Sequence, residues 1–248
     1  MAGHSKWANI QHRKGAQDKK RAGMFAKLAK EITVAAKMAG GDVDSNPRLR
    51  LAITTARGLS MPKDNIERAV KKGTGEGQDS TNYEEIRYEG YGIDGVAVIV
   101  EALTDNRNRS ASEIRSTFSK SGGNMGETGS VSFSFDQLGE ITYDASVACE
   151  DTMLEVVMDA GALDVETNDD VHVVTCEMTD LHIVVKALTE KFEEPKSAKI
   201  IWKPQNIIEL GLEPAQKIIK LIDTLEDLED VQYVYTNMDI SEETASQL

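Results

Sequence analysis

The chain is poor in the residues that build cross-linked or metal-held scaffolds. It has two cysteines, Cys149 and Cys176, and four histidines in 248 residues. The cysteine spacing fits neither a zinc ribbon nor a redox CxxC pair, so two ordinary thiols are expected. Aromatic residues make up only 5%, which argues against a large aromatic-lined ligand pocket. No window approaches the roughly 18 apolar residues of a membrane span. The first residues are polar and basic and hold no apolar run. No secretory signal is read, and an uncleaved cytoplasmic protein with no membrane partner is expected. No G-x-x-x-x-G-K-[ST] phosphate loop occurs.

Charge is plentiful, and it is unevenly spread. The formal total is −14, yet residues 1–73 carry 16 Lys and Arg against 6 Asp and Glu, a net +10 that leaves −24 for the rest. Lys6, Arg13, Lys14, Lys19, Lys20, Arg21, Lys27 and Lys30 all precede Ile32, opposed by Asp18 and Glu31. Such a split suits a module that grips a polyanion, joined to a body that avoids polyanions. The plainer alternative is a helical bundle with a solvated lysine face.

The length allows two or three compact domains. Met24, Leu28, Ile32, Ala35 and Ala39 recur at three- and four-residue steps and predict a helix, with Lys20, Lys27, Lys30 and Lys37 on another arc. Gly40 and Gly41 end it. Asn46-Pro47 opens a second helix with Leu49, Ala52, Ile53 and Ala56 inward and Gly58 as its stop. Ser60 and Pro62 open a third, with Ile66, Ala69 and Val70 inward and Gly73 as its stop. The outer faces would carry Arg48, Arg50, Arg57, Lys63, Arg68, Lys71 and Lys72. The Gly-rich stretch 73–82 reads as a linker.

Strands are expected over 83–89, 96–102 and 131–135, with a helix over 110–121. From Gly139 the pattern runs strand 140–143, helix 151–160, strands 164–167 and 171–176, helix 181–192 and strand 198–202. That is the β-α-β-β-α-β order of a ferredoxin-like unit. A helix over 214–228 and a strand over 231–235 would complete the sheet begun at Tyr83. The expected organisation is α+β with three domains. A basic helical domain covers 1–76, a discontinuous α+β domain covers 77–136 plus 204–248, and a ferredoxin-like domain covering 137–203 is inserted in it.

Most catalytic signals fail on inspection. "GYGIDG", Gly90 to Gly95, has the G-x-G-x-x-G spelling, but a strand follows it where the dinucleotide fingerprint needs a helix; a hairpin turn is expected. His172 and Cys176 share a strand parity, but one strand supplies too few ligands for a closed zinc site, and nothing fixes His182 nearby. Glu226, Asp227, Glu229 and Asp230 form a run of the kind found on solvated surfaces. No nucleophile–base set assembles, and no enzyme, cofactor or metal is expected. "DNRNRS", Asp105 to Ser110, puts Arg107 and Arg109 between a strand and a helix. They serve either as a second anion contact or as partners of nearby acids beside a cap made by Asp105 or Asn106. The Gly-rich loop 119–130 could present backbone N–H groups to an anion in the same way.

"AGHSKWANIQHRKGAQDKKR", "NPRLRLAITTARGLSMPKDNIERAVKKG", "YEGYG", "DNRNRSASEIRSTFSKSGGNMG" and "GSVSF" together resemble the YebC/PmpR family, as does "LIDTLEDLEDVQYVYTN" near the end. "YGIDG" departs from the family only where a proline often follows the second glycine. The resemblance implies an N-terminal helical domain and two α+β domains. It implies cytoplasmic bacterial proteins described as DNA-binding transcriptional regulators. A mitochondrial relative is a translational activator, and bacterial members have been linked to the ribosome and to translation of proline-rich stretches. DNA and RNA therefore stand in competition as the partner bound through the basic N-terminal domain: a DNA-binding transcriptional regulator is the first expectation, and an RNA-binding translation factor, with the ribosome as a further candidate, is the alternative. The expected contact residues are Lys6, Trp7, His12, Arg13, Lys14, Lys19, Lys20, Arg21, Lys27, Lys30, Arg48, Arg50, Arg57, Arg107 and Arg109. Trp7 either packs the basic arm or stacks on a base, and packing suits it better.

Overall fold

A computed structural model describes Trp7 and residues 18–75 and 82–248. The linker expected over 73–82 lies mostly outside them. The described helices are α1 (Asp18–Ala39), α2 (Pro47–Gly58), α3 (Lys63–Gly73), α4 (Arg107–Lys120), α5 (Glu150–Asp159), α6 (Leu181–Phe192), α7 (Leu212–Glu226) and α8 (Glu242–Ser246). The described strands are β1 (Glu84–Tyr91), β2 (Ala97–Thr104), β3 (Asn124–Met125), β4 (Phe135–Asp144), β5 (Asp164–Thr167), β6 (Val171–Glu177), β7 (Ser197–Pro204), β8 (Ile208–Leu210), β9 (Val231–Thr236) and β10 (Met238–Ile240). An N-terminal three-helix region is thus followed by two α+β sheets, as the α+β reading expected. The described residues fall into two compact units, one drawn from 1–27, 81–136 and 202–248, the other from 28–80 and 137–201.

In the first unit the sheet order is β3-β1-β2-β9, antiparallel throughout. Alternation along β2 divides two cores. Val98, Val100 and Ala102 join Ile114 and Phe118 of α4 and Ile218, Leu221, Ile222 and Leu225 of α7. Ala97 and Ile99 face the other way and meet Val131, Phe135 and Trp202. Full burial of each large aliphatic side chain is worth about 1.5–3 kcal/mol, so the period-2 pattern fixes the register. The β1–β2 turn contains "GYGIDG" and is a hairpin connection, with Asp94 at φ 55° and Gly95 at φ 76°. Trp7 lies in the core with α7 and is 5% exposed, and its backbone N–H donates to Asp239 Oδ1 at 3.0 Å.

The expected strand over 131–135 is not formed. Residues Ser132–Ser134 make a 3-10 turn, and β4 starts at Phe135. The cause is Glu89 on β1. Its Oε2 accepts from the amides of Val131 at 2.8 Å and Ser132 at 2.9 Å, donors that a strand ladder would have used.

In the second unit the sheet order is β5-β6-β4-β7, which puts the first and third strands of the β-α-β-β-α-β run at the centre, a ferredoxin-like arrangement. Ile141, Tyr143, Val174 and Cys176 pack against Met153 and Val157 of α5 and Val184 and Leu188 of α6. Helices α2 and α3 form beside the described part of α1. Asn46 caps α2 by accepting from the Leu49 amide at 3.1 Å, and its Nδ2 donates to the carbonyls of Ala35 and Gly40, both at 2.8 Å. Gly40, at φ 88°, is the left-handed stop of α1. Gly58 ends α2 as expected and has a second role: a Cβ there would lie 2.1 Å from the Lys196 carbonyl oxygen. Ala39, expected inward, is exposed at the end of α1.

Candidate nucleic-acid interface

Lys6, His12, Arg13 and Lys14 lie outside the described residues. Lys19, Lys20 and Arg21 belong to the first turns of α1 by their backbone. Further along the same helix, Lys27 Nζ donates to the Glu226 carbonyl at 2.7 Å. Lys30 is half-buried and Lys37 exposed. Of the two roles open to Trp7, packing is the one seen.

The two arginines of α2 nearest its start are engaged within the protein. Arg48 makes a two-pronged ion pair with Glu31, Nε to Oε1 at 2.7 Å and Nη2 to Oε2 at 3.0 Å. Arg50 donates to the carbonyls of Val43 at 3.2 Å and Asp44 at 2.6 Å. These bonds fix the geometry of the α1–α2 turn and use up donors that would otherwise reach a ligand. Arg57, at the other end of α2, is exposed. It lines a cleft of about 300 Å³ with Thr54, Tyr143, Asp144, Glu194 and Lys196. Lys196 Nζ sits 2.7 Å from Asp144 Oδ1, so this cleft carries both signs of charge.

On α3, Arg68 and Lys71 are exposed, and Lys63 faces Glu67 at 3.5 Å in a solvated i,i+4 pair. Screening leaves such a pair with little net energy, so Lys63 remains available to a polyanion. These α3 cations are better placed for outward contact than Arg48 and Arg50. The sequence signal for them was the spacing 63, 68, 71, which keeps them away from the buried Ile66 and Ala69.

At the start of α4 the cap is Asn106, which accepts from the Arg109 amide at 3.1 Å. Arg109 Nη2 is held between Asp230 Oδ2 at 2.6 Å and Asp105 Oδ1 at 2.8 Å. Asp230 is 3% exposed and also accepts from the hydroxyls of Thr104 and Ser110. Its hydrogen bond to Arg109, with that of Asp105 behind it, raises the guanidinium's proton affinity further. Two carboxylates beside this helix N-terminus cancel the field that would draw an anion there. Arg107 is exposed and its carbonyl accepts from the Tyr88 hydroxyl at 3.3 Å.

Among the described residues no group of three or more His, Cys, Asp or Glu is placed to hold a metal ion. The His172 ring is 1% exposed and bonded to the Thr167 hydroxyl and the carbonyls of Ala145 and Ala148, so it is a satisfied core histidine. Burial pushes the Cys176 thiol up to about 11, far from a reactive thiolate. The Cys149 thiol is lowered, first by a hydrogen bond from the Thr152 hydroxyl, and is exposed. No described helix is long and apolar enough to cross a membrane.

A family model described as the TACO1/YebC protein N-terminal domain matches residues 5–76, and one described as the TACO1/YebC second and third domain matches residues 83–238. A protein of Maricaulis maris (strain MCS10), named a probable transcriptional regulatory protein, is 55% identical across the whole of both chains. The crystal structure of a conserved hypothetical protein from Aquifex aeolicus superposes with a TM-score of 0.87 at 44% identity, covering 96% of this chain and 98% of that one.

Proposed function

Because this chain belongs to the TACO1/YebC family, we propose that it is a non-catalytic, nucleic-acid-binding regulator of gene expression working in the cytoplasm, with DNA at a promoter as its first target. The observation that carries the proposal is the charge split: net +10 in residues 1–73 on a chain of net −14. The M. maris relative's name agrees with it. The basic segment around Lys6–Lys30, together with Arg57, Arg68 and Lys71, would neutralise phosphates and release counterions. The acidic remainder would repel further duplex and limit indiscriminate coating. Residues 1–76 would then act as the gripping module and the two α+β domains as its body.

A second reading, a translation factor bound to structured RNA or the ribosome, is favoured by one feature. Phosphate contacts do not read sequence, and the arginines nearest the start of α2 are tied to Glu31, Val43 and Asp44 instead of being free for base edges. Crosslinking in cells, followed by sequencing of both bound DNA and bound RNA, separates the two. Enrichment at a few promoters supports transcriptional control. Enrichment on ribosomal RNA with no promoter peaks supports translation. Recovery of neither nucleic acid would remove both.

A further inference from the structure

Phe133 is 73% exposed, the barest large apolar side chain among the described residues. Its apolar neighbours at i−2 and i+2 go the other way: Val131 is 0% and Phe135 5% exposed, both in the core with Ala97, Ile99 and Trp202. A strand would have carried all three on one face. The turn at Ser132–Ser134 puts the middle ring outside and forfeits its burial.

The backbone beneath the ring is clamped from several sides. Glu89, 0% exposed, binds the amides of Val131 and Ser132 and is paired with Arg87 at 2.8 Å. The Ser134 amide and hydroxyl both donate to the Val131 carbonyl, at 3.0 and 2.7 Å. The Gln205 amide donates to the Ser134 carbonyl at 2.9 Å, and the Tyr91 hydroxyl to the Ser130 carbonyl at 2.9 Å. A ring held on so fixed a turn loses little freedom on binding. Local rules broken at a well-supported position mark functional sites.

The surroundings indicate the ligand. A protein-binding hot spot sits at the centre of an apolar patch sealed by a rim. Here the ring is flanked by Ser132 and Ser134, with exposed Gln205 bonded to the same turn. An exposed ring on a turn of hydrogen-bonding groups, with the exposed Tyr91 bonded to the same loop, suits a flat aromatic ligand with polar edges, a nucleobase. Bases in a duplex are already stacked, so the base must be unpaired. Exposed Glu127 and Asp136 lie a few residues to either side and disfavour phosphates close by, so the contact at this turn is to a base and not to the strand's backbone.

We propose that Phe133 stacks on an unpaired base of a single-stranded nucleic acid. The inference rests on the nucleic-acid reading above and adds to it the kind of strand and the point of base contact. The test uses full-length protein and labelled single-stranded RNA, single-stranded DNA and duplex DNA of equal length, at one salt concentration. Phe133→Ala and Phe133→Leu should weaken single-strand binding by about tenfold, as loss of one stacked base does. Phe133→Tyr and Phe133→Trp should stay within about twofold, the duplex should be unaffected, and Trp fluorescence in Phe133→Trp should fall on binding. The RNA and DNA arms show which strand is preferred. Unchanged single-strand affinity in Phe133→Ala would overturn the proposal. So would full rescue by Phe133→Leu, which would indicate an apolar protein contact instead. If wild type binds no nucleic acid, both readings fall. If reversing lysines of the basic segment abolishes binding while Phe133→Ala changes nothing, only this inference falls.

Discussion

Asp230 and Glu89 are buried carboxylates whose oxygens are taken up by several donors each. Asp230 holds the hydroxyls of Thr104 and Ser110 and the guanidinium of Arg109, and its carbonyl accepts from the Leu103 amide at 2.8 Å. Replacing Asp230 with Ala keeps the backbone bond to Leu103 but takes the carboxylate from the Thr104 and Ser110 hydroxyls and from Arg109 beside the core. Urea unfolding should show a loss of about 3 kcal/mol, with the Arg109 share discounted because that side chain is 43% exposed. Burial of Glu89 acts to raise its carboxyl, but the amides of Val131, Gly129 and Ser132, with Arg87 behind them, overcome it and hold the group below its ordinary 4.5. A lowered carboxylate stabilises the fold above its unfolded-state value, and that contribution is lost as pH falls through the folded one. Glu89→Gln should therefore cost about 1–3 kcal/mol at pH 7, and the gap from wild type should close below about pH 4 in parallel unfolding titrations.

At the scale of elements, the α1–α2 turn depends on Asn46, which is 1% exposed and satisfies one amide and two carbonyls. Asn46→Ala removes a cap and leaves those carbonyls bare. A loss of about 2–3 kcal/mol is expected, read by thermal unfolding. Gly58→Ala should also destabilise, since its Cβ meets the Lys196 backbone and α2 must shift away. Asn46-Pro47 was legible in the sequence because a cap signal is local. The ferredoxin-like run was legible too: 164–167 and 181–192 match their elements end to end, because long periodic faces leave little choice. The region 131–135 was misread because its alternation is that of a strand. What overrides it is Glu89, 42 residues earlier in the chain, and no local pattern reports such a clamp. The role of Arg48 was hidden likewise, and for Arg109 the pairing with Asp105 was one of two open readings while that with Asp230 was not visible. Their charge was visible, but their partners Glu31 and Asp230 are set by tertiary contacts, while the outward cations of α3 were legible from their spacing against Ile66 and Ala69.

At the scale of the molecule, the basic segment is the part proposed to hold a sugar-phosphate chain. Neutralising roughly six phosphates gives log affinity a slope near −5 against log salt on duplex DNA. Lys19, Lys20 and Arg21 are the place to test this, because they open α1, where acidic residues complement the helix dipole and leave the fold intact. The decisive measurement is the salt dependence of nucleic-acid affinity for wild type and the triple variant Lys19→Glu, Lys20→Glu, Arg21→Glu, with helicity checked by circular dichroism. The account predicts a loss of at least about tenfold at low salt and a slope shallower by about 3 units. A folded variant that binds every DNA and RNA tested as tightly as wild type, with the same slope, would contradict it.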